Sequence, residues 1–149
     1  MRFAAGMMWS DGVVHEEIMQ IFSDLAISRD GHLGTRRLPS EPQSVPLFIS
    51  NPDIVYADDY SVPRYAQGPL LRQLEVVHRI VYGEEIECSV YGKPSRLTFD
   101  FAEKVLRRKA EAHGVEISRF YMIGDNPHGD IQGANNKGWE SILVRTGVF

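Results

Sequence analysis

Two short apolar runs, FYMIG at Phe120–Gly124 and SILV at Ser141–Val144, constrain this chain more than any other feature. Between them lie a loop, DNPHG, and a segment, Asp130 to Lys137, that reads as a short helix. Apolar runs of this length without polar alternation are the pattern of strands buried on both faces, as in parallel sheets. Upstream, YGKPSRLTFDFAEKVLRRKAEAHG (Tyr91–Gly114) predicts a turn and then a helix. Phe99, Ala102, Val105 and Leu106 share one face of that helix, and His113 and Gly114 close it. The order helix, strand, loop, helix, strand predicts half of an α/β parallel sheet from residue 91 onward.

The earlier residues are less regular. Residues 3–9 read as a buried strand, so the sequence begins inside a structural element and raises the expectation of missing upstream chain. In HEEIMQIFSDLAIS (His15–Ser28), Ile18, Ile21, Phe22 and Leu25 fall at helical spacing. Arg29 to Pro46 is rich in turn formers and forms a loop of a length that is usually functional or mobile. VPLFIS is a short strand that ends at the turn NPD, and YADDYSVPRYAQG is irregular. Pro69 sits just inside the start of a helix that stops at Gly83. These changes of pattern place a boundary near residue 90, separating 1–90 from 91–149.

Composition narrows the function classes. With 43% apolar and 24% charged residues, the chain has the make-up of a globular protein. Its 149 residues suffice for one ordinary domain or two incomplete pieces. The net charge of −4 offers no footprint for nucleic acid or for an anionic membrane. No apolar run approaches the roughly 18–20 residues needed to cross a bilayer, so membrane insertion is not expected. The single cysteine, Cys88, permits neither a disulfide within the chain nor a cysteine zinc site. The arginine pairs at 36–37 and 107–108 read as solvated charge.

Two stretches can carry chemistry. In MIGDNPHGDIQGANNKGW, Asp125 lies at the carboxyl end of a strand, where open α/β sheets place their ligands. Asp130 starts the next helix, where a carboxylate can cap backbone N–H groups. Two carboxylates at this spacing suit one Mg²⁺ ion, which takes few protein oxygens and keeps water; equally, Asp130 could be only a cap and Asp125 a turn residue. In YGKPS, Lys93 precedes a helix N-terminus with Ser95 as a possible cap. An ammonium and helix-terminal N–H groups together bind phosphate oxygens, although a Gly-Lys-Pro alone is usually an exposed turn. His128 reads as a loop histidine facing water.

Taken together, GKPSRLTFDFAEKVL and FYMIGDNPHGDIQGANNKGWESILVRTGVF resemble the C-terminal core of haloacid dehalogenase-like (HAD) hydrolases. The G-K-P turn, G-D-x4-D, A-x4-G and the closing T-G-V resemble subfamily IIA in particular. SNPD at Ser50–Asp53 and PRYAQGPLLRQLE at Pro63–Glu75 are similar to that subfamily's cap domain. PR-x3-G and the SxDGxLGT loop (Ser28–Thr35) resemble the cat eye syndrome critical region protein five-like branch. The resemblance implies the C-terminal part of an α/β cap domain over residues 1–90, and the C-terminal half of a HAD-like Rossmannoid parallel-sheet core over 91–149. It implies Mg²⁺ as cofactor, with Asp125 as metal ligand and Asp130 as its acidic partner. Lys93 then stabilises the nucleophile and the transferred phosphoryl group, and Arg64 to Gly68 face the substrate, with Arg64 and Gly68 the named candidates. A phosphorylated small molecule is the implied substrate and the mitochondrion the implied location.

The family reaction needs a D-x-D loop, whose first aspartate attacks phosphorus to give an aspartyl-phosphate. No D-x-D occurs in this sequence. MMWSDGVV (Met7–Val14) resembles that loop, but Trp9 stands where the nucleophile belongs. Ser50 in LFISN is similarly a lookalike of the motif II Ser/Thr. The reading favoured here is a C-terminal fragment without turnover, its core strand FYMIG left as an apolar edge open to self-association. The alternative is a non-catalytic binding or assembly protein on a degenerate HAD scaffold. A nucleotide-binding α/β domain is weaker still, because no Gly-rich phosphate loop follows a strand.

Overall fold

The computed structural model describes residues 1–10 and 14–149. In chain order the elements are β1 (Gly6–Met8), α1 (His15–Ile27), β2 (Leu47–Ile49), β3 (Val55–Tyr56), β4 (Arg64–Tyr65), α2 (Gly68–Tyr82), β5 (Cys88–Val90), α3 (Arg96–Ala112), β6 (Tyr121–Gly124), a single π-helical turn (Pro127–Ile131), α4 (Gln132–Lys137) and β7 (Glu140–Leu143). The chain divides into two compact units: Met1–Ile54 with Tyr65–Val90, and Val55–Arg64 with Tyr91–Phe149. Segment 55–64, on the first side of the boundary drawn from sequence, thus clusters with the second unit.

The first unit is built on a parallel sheet in the order β1-β2-β5, with Gly6 opposite Leu47 and Leu47 opposite Cys88. Its core gathers Met8, Phe22, Leu25, Leu47, Ile49, Leu70, Leu71 and Leu74. α2 has Pro near its first position, where the missing N–H costs nothing, and ends at Gly83 in the left-handed region (φ +74°), whose N–H returns to Arg79 O. α1 carries Glu16 and Glu17 in its first turn, where the helix dipole favours negative charge. Its buried residues are Phe22, Ser23, Leu25 and Ala26, whereas Ile21, expected on the apolar face, is exposed. The expected strand over 3–9 is shorter and alternates in burial, with Met7 and Trp9 exposed.

Arg37 is not the solvated charge expected of it. Its Nη2 lies 2.7 Å from Glu84 Oε1, its Nη1 donates to Glu41 O (2.6 Å) and its Nε to Ala26 O (3.2 Å). A guanidinium buried with three partners pins the 29–46 loop to the end of α1; in a drier environment an unpaired cation would be costly. The stretch 56–68, expected to be irregular, takes part in the β3–β4 ribbon through Tyr56 and Arg64–Tyr65.

In the second unit β6 and β7 pair in parallel, Tyr121 opposite Glu140 and Gly124 opposite Leu143. Phe99 of α3 meets Trp139 edge-on (5.4 Å), and Trp139 stacks on Phe120 (4.9 Å). Lys137, at the end of α4, bridges Asp100 (2.6 Å) and Glu103 (2.8 Å) of α3. Hydrogen bonds to Asp100 and Glu103 push the Lys137 ammonium above its ordinary value, and those from Lys137 and Arg107 hold Glu103 below its own. The expectation of strands buried on both faces is corrected: Tyr121 and Ile123 are 55% and 62% exposed, and Ile142 and Leu143 are exposed too. Only β7 neighbours β6 among the described residues, so one face and one edge of this pair carry apolar side chains without cover. Leu106, placed on the buried face of α3, is also exposed, and Phe99 is the helix's buried residue.

Candidate functional site

β6 ends at Gly124 and delivers Asp125 at the carboxyl end of a parallel strand. The next residues do not start an α-helix at Asp130, as the sequence suggests, but close a π-helical turn around Asn126. The Asn126 side chain accepts hydrogen bonds from the N–H groups of His128 and Gly129, both at 3.0 Å, and its carbonyl accepts those of Asp130 (2.8 Å) and Ile131 (3.3 Å). Asn126 therefore has the capping role that sequence assigned to Asp130, using the short side chain and local geometry that make Asx turns.

That exchange frees the Asp130 carboxylate, which turns back toward the strand end. Its Oδ2 accepts the Asn126 N–H at 3.0 Å, the amide immediately after Asp125. Its Oδ1 lies 2.7 Å from Lys93 Nζ. Among the described residues no hydrogen-bond partner is directed at Oδ1, a buried atom, so the contact with Lys93 is ionic. Asp130 is nearly inaccessible (side chain 3%) while Lys93 is 39% exposed, so the lysine reaches from solvent to neutralise a buried carboxylate. A side chain at Gly124 would collide with the Asp130 carboxylate, which explains the glycine of the G-D pair.

Asp125 is held from the other side. Its Oδ2 accepts the Val148 N–H at 2.8 Å. Gly147 has φ +61°, and a Cβ there would overlap the same carboxylate oxygen, so only glycine lets the turn approach. Spacing had picked out Asp125, Asp130 and Lys93. It missed Asn126 and the Gly147–Val148 amide; the Asn-Pro pair is a turn signal that could have found the first, but nothing local in sequence links Val148 to Asp125.

The remaining candidates behave differently. Arg64 is exposed and its guanidinium lies over the Tyr60 ring (4.9 Å). Gly68, in the first unit, is buried, and a Cβ there would strike the carbonyls of Pro52 and Asp53. Close packing on the NPD turn is thus a structural reason for the glycine of PR-x3-G. Ser50 Oγ contacts Trp9 O and Gln67 Oε1, each at 3.0 Å, joining strand ends. Asp11, in the stretch that resembles a nucleophile loop, lies outside the described residues. Ser95 stands at the start of α3 without a side-chain cap bond, contrary to its expected role, so the first-turn N–H groups of that helix lack this partner. His128 is exposed, as its loop position suggested.

Among the described residues, no group of three or more His, Cys, Asp or Glu side chains is placed to hold a metal. A hard cation at Asp125 and Asp130 would take oxygens from these two carboxylates and complete its shell with water or phosphate. That is the habit of Mg²⁺ rather than of zinc or calcium. The buried Asp130 Oδ1 and the glycines that make room for both carboxylates fit such an ion.

The fold and the site together define an α/β protein with a lysine-paired acidic loop at the end of a parallel strand. Residues 90–149 match the family described as HAD-hydrolase-like. A Schizosaccharomyces pombe protein named cardiolipin synthase (CMP-forming)/mitochondrial hydrolase fusion protein is 38% identical over 88% of this chain and 22% of its own length. Mitochondrial hydrolase YKR070W of Saccharomyces cerevisiae is 33% identical over 99% of this chain and 48% of its own. A crystal structure of a double mutant thermostable NPPase from Geobacillus stearothermophilus superposes on 98% of this chain and 47% of that one, with a TM-score of 0.64 at 19% identity, a likeness of fold. Over residues 90–149 the chain thus matches the haloacid dehalogenase-like hydrolase superfamily. It spans about half the length of the yeast hydrolase, or less of the fusion protein.

Proposed function

We propose that this chain carries the phosphate- and metal-binding half of a HAD-type phosphatase of subfamily IIA, and not its nucleophile. On this reading residues 1–90 are the later part of the cap domain and 91–149 the later half of the core. The observation that carries it is the Lys93–Asp130 ion pair at 2.7 Å beside Asp125 at a strand end. Asp125 and Asp130 would hold Mg²⁺, and the bound ion would supply positive charge to phosphoryl oxygens. Lys93, half in solvent, would add a second positive charge toward the same oxygens, and the first-turn amides of α3 further donors. Arg64 is the substrate-facing candidate of the cap, with Gly68 shaping that segment.

In an intact protein of this kind, an aspartate from a D-x-D loop would attack the phosphate ester and form an aspartyl-phosphate. With no D-x-D in its sequence, this chain binds without attacking. The names of the two yeast relatives support a mitochondrial setting. No helix among the described residues is long and apolar enough to cross a membrane. A phosphorylated small molecule is the proposed substrate class. The fission-yeast fusion to a CMP-forming synthase makes CMP the first natural phosphoester to try.

The experiment is a hydrolysis assay on p-nitrophenyl phosphate and CMP with and without Mg²⁺. We expect no release of phosphate above buffer, since positioning alone leaves little catalysis once the nucleophile is gone. Mg²⁺-dependent turnover abolished by Asp125→Ala would overturn the absence of a nucleophile.

A further inference from the structure

We propose that the turn Thr146–Phe149 is part of the metal site, with the Val148 N–H a positioning group that fixes the rotamer of Asp125. This rests on the Mg²⁺ reading of Asp125 given above. Asp125 stands at a strand end, only partly buried, and its Oδ2 receives one N–H, from Val148 at 2.8 Å. The donor is 23 residues away in sequence. A carboxylate with one oxygen tied to a backbone amide presents the other in a fixed direction, and partners of this sort commonly govern metal affinity. The turn is itself held, because Phe149 N–H returns to Thr146 O (3.2 Å) and Gly147 adopts the left-handed conformation that brings the backbone against the carboxylate. On the opposite side, the Asn126 amide orients Asp130 in the same way (3.0 Å). The two acidic side chains are thus each aimed by a backbone donor. Only one of these donors lies within the G-D-x4-D segment.

The test is calorimetric titration of the whole chain with Mg²⁺, alongside the Val148 amide resonance in ¹H–¹⁵N spectra. Val148→Pro deletes the donor and Val148→Ala keeps it. We expect Val148→Pro to bind Mg²⁺ roughly ten- to a hundredfold more weakly, Val148→Ala to retain the wild-type affinity, and the Val148 amide to shift with the same midpoint as the heat. Gly147→Ala, which puts a methyl on the carboxylate oxygen, gives the same loss and decides the matter should the proline variant fail to fold. Equal affinity in Val148→Pro and wild type, or a Val148 amide that does not respond to Mg²⁺, overturns the positioning role while leaving the metal site intact. A wild-type chain with no Mg²⁺ affinity overturns the underlying reading, and this inference with it.

Discussion

Lys93 and Asp130 are the pair on which the site turns. Asp130 is buried and acidic, and among the described residues Lys93 is the cation paired with it. Removing the lysine strands a carboxylate in a poorly solvated place, which costs more than the pair contributes when formed. Lys93→Met is therefore expected to destabilise the second unit by about 1–3 kcal/mol, less than for a fully buried pair because the ammonium is partly in water. Adding Asp130→Asn should recover part of the loss; urea unfolding of the single and double variants measures both. In the first unit, His78 of α2 faces α1 with Nδ1 3.1 Å from Ser23 Oγ, and its buried Nε2 has no hydrogen-bond partner among the described residues. Burial lowers the imidazole below its ordinary value of 6.5, with Glu84 opposing and Arg37 assisting. A base lowered on folding is protonated first in the unfolded chain. Its contribution to stability is complete above about 6.5 and is lost as pH falls from there toward the folded value. The melting temperature should hold from pH 8 to 7 and drop as pH falls below about 6.5, and His78→Gln should flatten that segment of the profile. An identical fall in both proteins would refute it.

At the level of elements, the type and order of the helices and strands from residue 91 onward were readable, apart from the π-helical turn, because periodicity and punctuation are local properties. Burial was not. FYMIG has the composition of a strand covered on both faces, yet Tyr121 and Ile123 face outward, since cover depends on neighbouring elements that composition does not contain. The same limit applied to Arg37: two adjacent arginines look like surface charge until the loop folds Glu84 and two carbonyls around one of them. Of the residues that spacing singled out, Lys93 and Asp130 come together, but the cap expected of Asp130 is made by Asn126, as two short polar side chains can both cap a turn. The open edge and apolar face of β6 have a consequence in solution, because unpaired N–H and C=O groups beside exposed apolar side chains template pairing. The chain is expected to associate with rising concentration in sedimentation velocity, and Ile123→Lys to shift it toward monomer. A wild-type chain that stays monomeric and melts in one sharp transition would contradict this.

Across the whole molecule, two compact units each carry a small parallel sheet, and the acidic loop lies in the second. The sequence signature of that loop was strong enough to indicate the superfamily, because the glycines of G-D-x4-D and T-G-V are both demanded by backbone geometry: room at Gly124 for Asp130, and room at Gly147 for Asp125. What local spacing could not reveal was that the last of these motifs folds onto the first aspartate. The central claim is the proposal that Asp125 and Asp130, with Lys93, form a Mg²⁺ and phosphate site in a sequence without D-x-D. The most direct measurement is calorimetric titration of Mg²⁺ into the wild-type chain and into Asp125→Asn, without and with inorganic phosphate. The account predicts saturable Mg²⁺ binding that phosphate strengthens and that Asp125→Asn weakens at least about tenfold. Heats no different from dilution, or equal binding in the two proteins, would contradict it.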